Sequence, residues 1–192
     1  MDAVRLEVGL MSRTKGERKM ADESIERILE QELGKIGATG GELGLEMAGP
    51  IGEMLGVGSP PDAAKDFALR GGLRGASFAA RHMKNDVFAA TLELSVSPAD
   101  ATRIFVQELN NLGKTLTGDA SRTYPVLRAV VMAGLMNMNP AVVEVEVVPL
   151  GVASCRITVT GTAKEGLIKQ HAGEKAVRRV MESVGIAEAG NT

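Results

Sequence analysis

Aromatic residues are scarce in this chain of 192 residues: they make up 3%, with four Phe, one Tyr and no Trp. Single-stranded nucleic acid is usually gripped by stacking on several rings, so that mode is disfavoured. Cysteine is nearly absent too. Cys155 stands alone, which excludes an intramolecular disulfide and a zinc site of several cysteine ligands. No apolar run reaches the ~18 residues of a membrane-spanning helix. The most apolar stretch, 126–136, is interrupted by Arg128. Excess charge is missing as well: 22 basic against 24 acidic residues leave −2, so no strong field draws the protein to nucleic acid or an anionic membrane. Charges sit early in Met1–Met11, where an export signal needs an apolar run. With the lone thiol this points to the cytoplasm. Met11 and Met20 offer alternative natural starts.

What is present is an ordinary globular composition, 44% apolar and 24% charged, enriched in Met (10) and Gly (23). Aliphatic residues and adaptable Met must therefore fill the core. At this length ~70% of the unfolded surface can be buried, so neither disulfide nor metal is needed to fold.

Residues 1–20 read as a mobile arm with five basic residues, and 186–192 as a frayed tail. Residues 21–85 read as a helical and Gly-rich N-terminal segment. Asp22 caps a helix over 22–34 with Ile25, Ile28, Leu29 and Leu33 on one face, and Gly34 or Gly37 ends it. A short broken helix is expected near 42–55. Asp62 starts another, which Gly71, Gly72 and Gly75 weaken. Charge changes sign here: ten acids and three bases from Ala21 to Asp66 give way to Arg70, Arg74, Arg81 and Lys84, with no acid between Phe67 and Lys84.

From residue 86 the pattern sharpens. Phe88, Ala90, Leu92, Leu94 and Val96 alternate with polar or small residues, a strand with one buried face. Ser97-Pro98-Ala99-Asp100 then opens a helix with a capping box. Its stripe is Ala101, Ile104, Phe105, Leu109 and Leu112, and Gly113 stops it. A short strand follows at 114–117. Residues 125–138 fit a helix or a strand, and the strand reading is adopted. Val143, Val145 and Val147 face inward along the next strand, with Glu144 and Glu146 outward. Pro149-Leu150-Gly151 turns the chain into a strand with Cys155, Ile157 and Val159 inward. Arg156 is expected to pair with one of those glutamates. A helix over 172–184 closes the chain, its stripe Ala176, Val177, Val180, Met181 and Val184.

Over residues 86–185 this order, with Ser-Pro-Ala-Asp at the helix entry and the Val-Glu-Val-Glu-Val hairpin, resembles small uncharacterised bacterial α+β domains of order strand, helix, three or four strands, helix. The resemblance brings no catalytic residues. The fold class expected is α+β, an antiparallel β-sheet with helices packed on one face, preceded by the helical and irregular N-terminal segment. The second sheet face, with Thr91, Glu93, Glu144, Glu146, Arg156 and Thr158, is read as polar, open to water or covered by that segment.

Chemistry is thinly represented. His82 and His171 read as solvated, Cys155 as an inert core residue, and Glu144/Glu146 as surface alternation. Neither Gly-rich stretch carries a phosphate-binding pattern. Two groups remain as candidates. Asp119, Arg122, Tyr124, Asn137 and Asn139 are placed to rim a ligand pocket. Arg70, Arg74, Arg81 and Lys84 are placed to bind an anion. No cofactor, no metal and no nucleic acid is expected. The leading reading is a non-enzymatic association module, self-associating or binding a protein partner through residues 22–70. Its rivals are a carrier of a small molecule or lipid, with an apolar pocket between sheet and helices, and an enzyme of unknown class.

Overall fold

The computed structural model describes residues 6–7, 23–40, 62–116, 126–134, 138–166 and 169–185. They fall into two compact units, one of Asp22–Met83 and one of Met1–Ala21 with Lys84–Thr192.

The larger unit is built on a six-stranded sheet, antiparallel throughout, in the order β1-β2-β6-β5-β4-β3. The strands are β1 (Leu6–Glu7), β2 (Lys84–Leu94), β3 (Gly113–Leu116), β4 (Val126–Ala133), β5 (Asn139–Gly151) and β6 (Ser154–Glu165). Helices α3 (Pro98–Leu112) and α4 (Ala172–Ser183) cover one face. The α+β class, the antiparallel sheet and the helix-bearing face are as the sequence leads one to expect. Of the arm 1–20, Leu6 and Glu7 are placed as a strand; the rest, like the tail 186–192, lies outside the described residues.

Alternation dictates the core. Leu92 of β2, Ala129 and Val131 of β4, Val143, Val145 and Val147 of β5 and Ile157 and Val159 of β6 share the helix-facing side, each at most 1% exposed. Phe105 and Leu109 of α3 and Val177 and Val180 of α4 meet them, equally dry. Each such aliphatic side chain contributes about 1.5–3 kcal/mol by leaving water. Residues 126–133 are a strand because β3 and β5 pair with them on both sides. Ile104 departs from the expected stripe of α3. It is 37% exposed, since the face centred on Ala101, Phe105 and Leu109 already fills the contact.

α4 lies on β6 at backbone contact. A Cβ on Gly161 would collide with the Gly173 carbonyl oxygen and sit 2.8 Å from Val177 Cγ2; one on Gly173 would sit 2.8 Å from the Asp86 and Gly161 oxygens. Only glycine at both positions allows this approach.

In the smaller unit, α1 (residues 23–40) and α2 (Asp62–His82) run antiparallel. Two expectations need correction here. α1 passes through Gly34 and Gly37 to residue 40, and α2 is unbroken through Gly71, Gly72 and Gly75. At Gly34, Gly37 and Gly72 the cause is again close approach: a Cβ on Gly37 would lie 2.6 Å from the Gly72 carbonyl oxygen, and one on Gly34 2.7 Å from Ser77 Oγ. The packing that needs these glycines offsets their helix penalty of about 1 kcal/mol each. Arg81 Nε donates to Glu30 Oε2 at 3.1 Å across the same pair. The helix expected near 42–55 lies outside the described residues.

Candidate functional site

The face of α2 turned away from α1 carries the strongest candidate. Gly72, Leu73, Ala76 and Ser77 face α1, as the contacts of Gly34 and Gly37 require. Helical spacing then sets Gly71, Gly75, Phe78 and His82 on the opposite stripe, four, three and four residues apart. All four are exposed, Phe78 to 66%, and nothing lies within 4 Å of a Cβ built at Gly71 or Gly75. The Phe78 and His82 rings meet in a tilted contact, 4.5 Å between centroids and 43° between planes, and His82 Nδ1 lies 2.9 Å from the Phe78 carbonyl oxygen. At 100° per residue, Arg70, Arg74 and Arg81 fall along one flank of this stripe. Arg70 Nη2 donates to Asp66 Oδ2 at 3.1 Å, and Arg81 reaches Glu30. Arg74 is exposed. Lys84, the fourth residue of the anion-binding group, opens β2.

Of the pocket-rim group, Asp119, Arg122, Tyr124 and Asn137 lie outside the described residues. Asn139 begins β5, and its Nδ2 donates to the Lys164 carbonyl oxygen at 3.0 Å, tying the ends of β5 and β6. That bond gives Asn139 a structural role.

The second sheet face overturns the reading of Glu144 as an outward surface residue. Glu144 is 2% exposed and Arg128 7%. They stand directly opposite in the β4–β5 register, and Arg128 Nε donates to Glu144 Oε1 at 2.7 Å. Val126, Val130, Val142, Thr158, Thr162 and Lys164 of the same face are also buried, so its centre is neither wholly polar nor open. Removing one partner of a buried pair typically costs about 3–5 kcal/mol, because the other charge stays buried without its counter-charge. Arg128 has the parity opposite to the core row of its own strand, as Glu144 has in β5, but only the β4–β5 register shows that the two meet. Arg156 does not reach the glutamates of β5. Its direct neighbour on β2 is Glu93, whose Oε1 accepts at 2.7 Å from Nη2 and 3.1 Å from Nε.

Cys155, Asp86 and Glu165 serve the scaffold. Burial pushes the Cys155 thiol above its ordinary value, the reverse of what a nucleophile needs. Asp86 Oδ2 accepts from Gly173 N at 2.9 Å, and Glu165 Oε1 from Gln170 N at 2.9 Å and Ala172 N at 3.2 Å. Both carboxylates thus occupy the start of α4. His171 lies at its N-cap position in the left-handed region, φ 52°, ψ 45°. Among the described residues no group of three or more His, Cys, Asp and Glu is placed to hold a metal ion, and no helix is long and apolar enough to cross a membrane.

No family model matches the chain, and no curated protein does. Among solved structures, a point mutant of Thalictrum flavum norcoclaurine synthase, in complex with a transition-state analogue, is similar over 53% of this chain and 95% of its own. The identity is 12% and the TM-score 0.27, a likeness too slight to decide anything about this chain.

Proposed function

We propose that the protein is an association module that binds a protein partner through the outer face of α2. The observation that carries this reading is Phe78, 66% exposed beside Gly71 and Gly75, which have open space before them, and a flank of arginines. A ring beside a small-residue groove accepts the ridge of another helix, and aromatic and Arg residues are the side chains that dominate protein interfaces. Charge selects the partner. Phe67–Lys84 holds four bases and no acid, so pairing α2 with a second α2 would set arginines against arginines. An acidic amphipathic helix meets both the groove and the flank. The carrier reading draws less support, since α4 meets β6 at backbone contact on the helix-bearing face where its pocket would open.

The test is a photo-crosslinking residue at position 75 of the full chain in the cells that make it, with a control at exposed Asn110. A discrete adduct with another protein at 75 but not at 110, lost on Arg74→Glu, is expected. Equal adducts at both positions, no adduct at 75, or an adduct with a second copy of the chain would overturn the reading.

A further inference from the structure

The turn between β5 and β6 is an exposed apolar tip. Pro149, Leu150, Gly151, Val152 and Ala153 are all exposed, Val152 to 94% and Leu150 to 46%. Among the described residues no large apolar side chain is as open as Val152. Between Glu146 and Arg156 the chain carries no charge and no aromatic ring. Exposed aliphatics scattered singly need no explanation, but these form one contiguous patch at the end of a hairpin.

Size, composition, charge and backbone choose what meets it. A stable protein interface takes about 20–30 residues a side, far more than this tip offers. Protein hot spots favour Trp, Tyr and Arg and make little use of Val and Leu. The charges beside the tip are already matched. Arg156, the first charge after it, gives Nη2 to Glu93 Oε1 at 2.7 Å. Arg103 of α3, the helix that follows β2, gives Nη2 to Asp100 Oδ1 at 3.3 Å. These pairs favour neither an acidic nor a basic surface. Lipid, finally, tolerates few unpaired backbone groups. The β5–β6 ladder closes at Gly151↔Ser154, so only Val152 and Ala153 stand outside it, and Pro149 has no N–H to satisfy.

We infer that the β5–β6 tip is a contact site for the surface of an electrically neutral lipid bilayer, with Val152 and Leu150 entering the boundary between headgroups and acyl chains. The contact is shallow and reversible. A single fatty acyl chain binds a bilayer with about 10⁴ M⁻¹, and two aliphatic side chains bury less hydrocarbon than that. This inference stands apart from the proposal for α2, with which it shares no residue.

The test adds vesicles of phosphatidylcholine, at about 5 mM lipid, to the full chain carrying Val152→Cys labelled with a nitrobenzoxadiazole thiol reagent. Cys155 is buried and takes no label. A second variant, Asn111→Cys, carries the label at an exposed position of α3. Emission at 152 is expected to rise about threefold and shift to the blue, while that at 111 stays constant. No change at 152, or equal changes at both positions, would overturn the inference. So would a rise at 152 that follows protein concentration without lipid, which would assign the tip to a second copy. Because the label is itself apolar, the unlabelled chain is also floated with the same vesicles. The floated fraction is expected to fall at least fivefold when Leu150→Asp and Val152→Asp are combined, with an unchanged circular dichroism spectrum. Equal flotation of the two chains would refute the inference, as would flotation only with vesicles that contain phosphatidylserine.

Discussion

α3 and α4 lie side by side on the same sheet face, yet their first turns are held by opposite means. α3 is capped from within four residues. Asp100 N donates to Ser97 Oγ at 3.1 Å, Ser97 Oγ to Asp100 Oδ2 at 2.8 Å, and Pro98 occupies the first turn. α4 takes no side-chain cap from its own N-cap residue. Its amides are held by Glu165 of β6 and by Asp86, which is 87 residues from Gly173 in sequence. A local cap belongs to the helix wherever the helix goes; a distant cap exists only once the sheet has formed. α3 is thus specified before the tertiary structure, α4 by it.

The difference can be broken first at the contact that seats α4. Gly161→Ala is expected to cost about 2–3 kcal/mol in urea unfolding, because the backbone of α4 must move. A change at exposed Asn111 of α3, to Ala, should leave stability within about 0.5 kcal/mol. Next in size is Asp86→Ala, which removes a charge-assisted bond worth about 1.5–2 kcal/mol. Hydrogen exchange should quicken in the first turn of α4 and stay unchanged in α3. Ser97→Ala should cost about 1 kcal/mol. Its distinguishing mark is that circular dichroism of an isolated peptide of residues 95–114 loses helicity as well, whereas nothing within residues 169–186 replaces Asp86. The smallest effect is one of pH. The Ser97 hydroxyl, and after it the Arg103 guanidinium, hold the Asp100 carboxyl below its ordinary value of 3.8. Its folded pKa is depressed, so its contribution is complete above that value and lost as pH falls through the folded one. Asp100→Asn should flatten that acid limb of the stability curve by lowering stability slightly at neutral pH while leaving the acid end nearly unchanged.

The same contrast explains what could be read in advance. β2, α3, the β5–β6 hairpin and α4 were legible because period and caps act over a few residues. Residues 126–133 satisfied both periods, and only pairing with β3 and β5 decides them. Gly34 and Gly37 were misread as helix ends, and Gly72 as a weak point, because their use, a close helix crossing, depends on a partner helix distant in the sequence. The arginine flank of α2 followed from an acid-free run. The Arg128–Glu144 pair did not, because each residue alone looks like a solvent-facing charge; it became visible only with the register.

β2 pairs with β6 along its whole length, and their partners lie roughly 60 to 80 residues apart, a long-range contact that is slow to form. On a ribosome adding about 5–20 residues each second, β2 emerges seconds before the strand that completes it. During that interval Phe88, Ala90, Leu92 and Leu94 form a bare apolar row on a nascent chain. The hazard of this fold therefore falls in its synthesis, at a row of side chains that in the finished protein packs against the core.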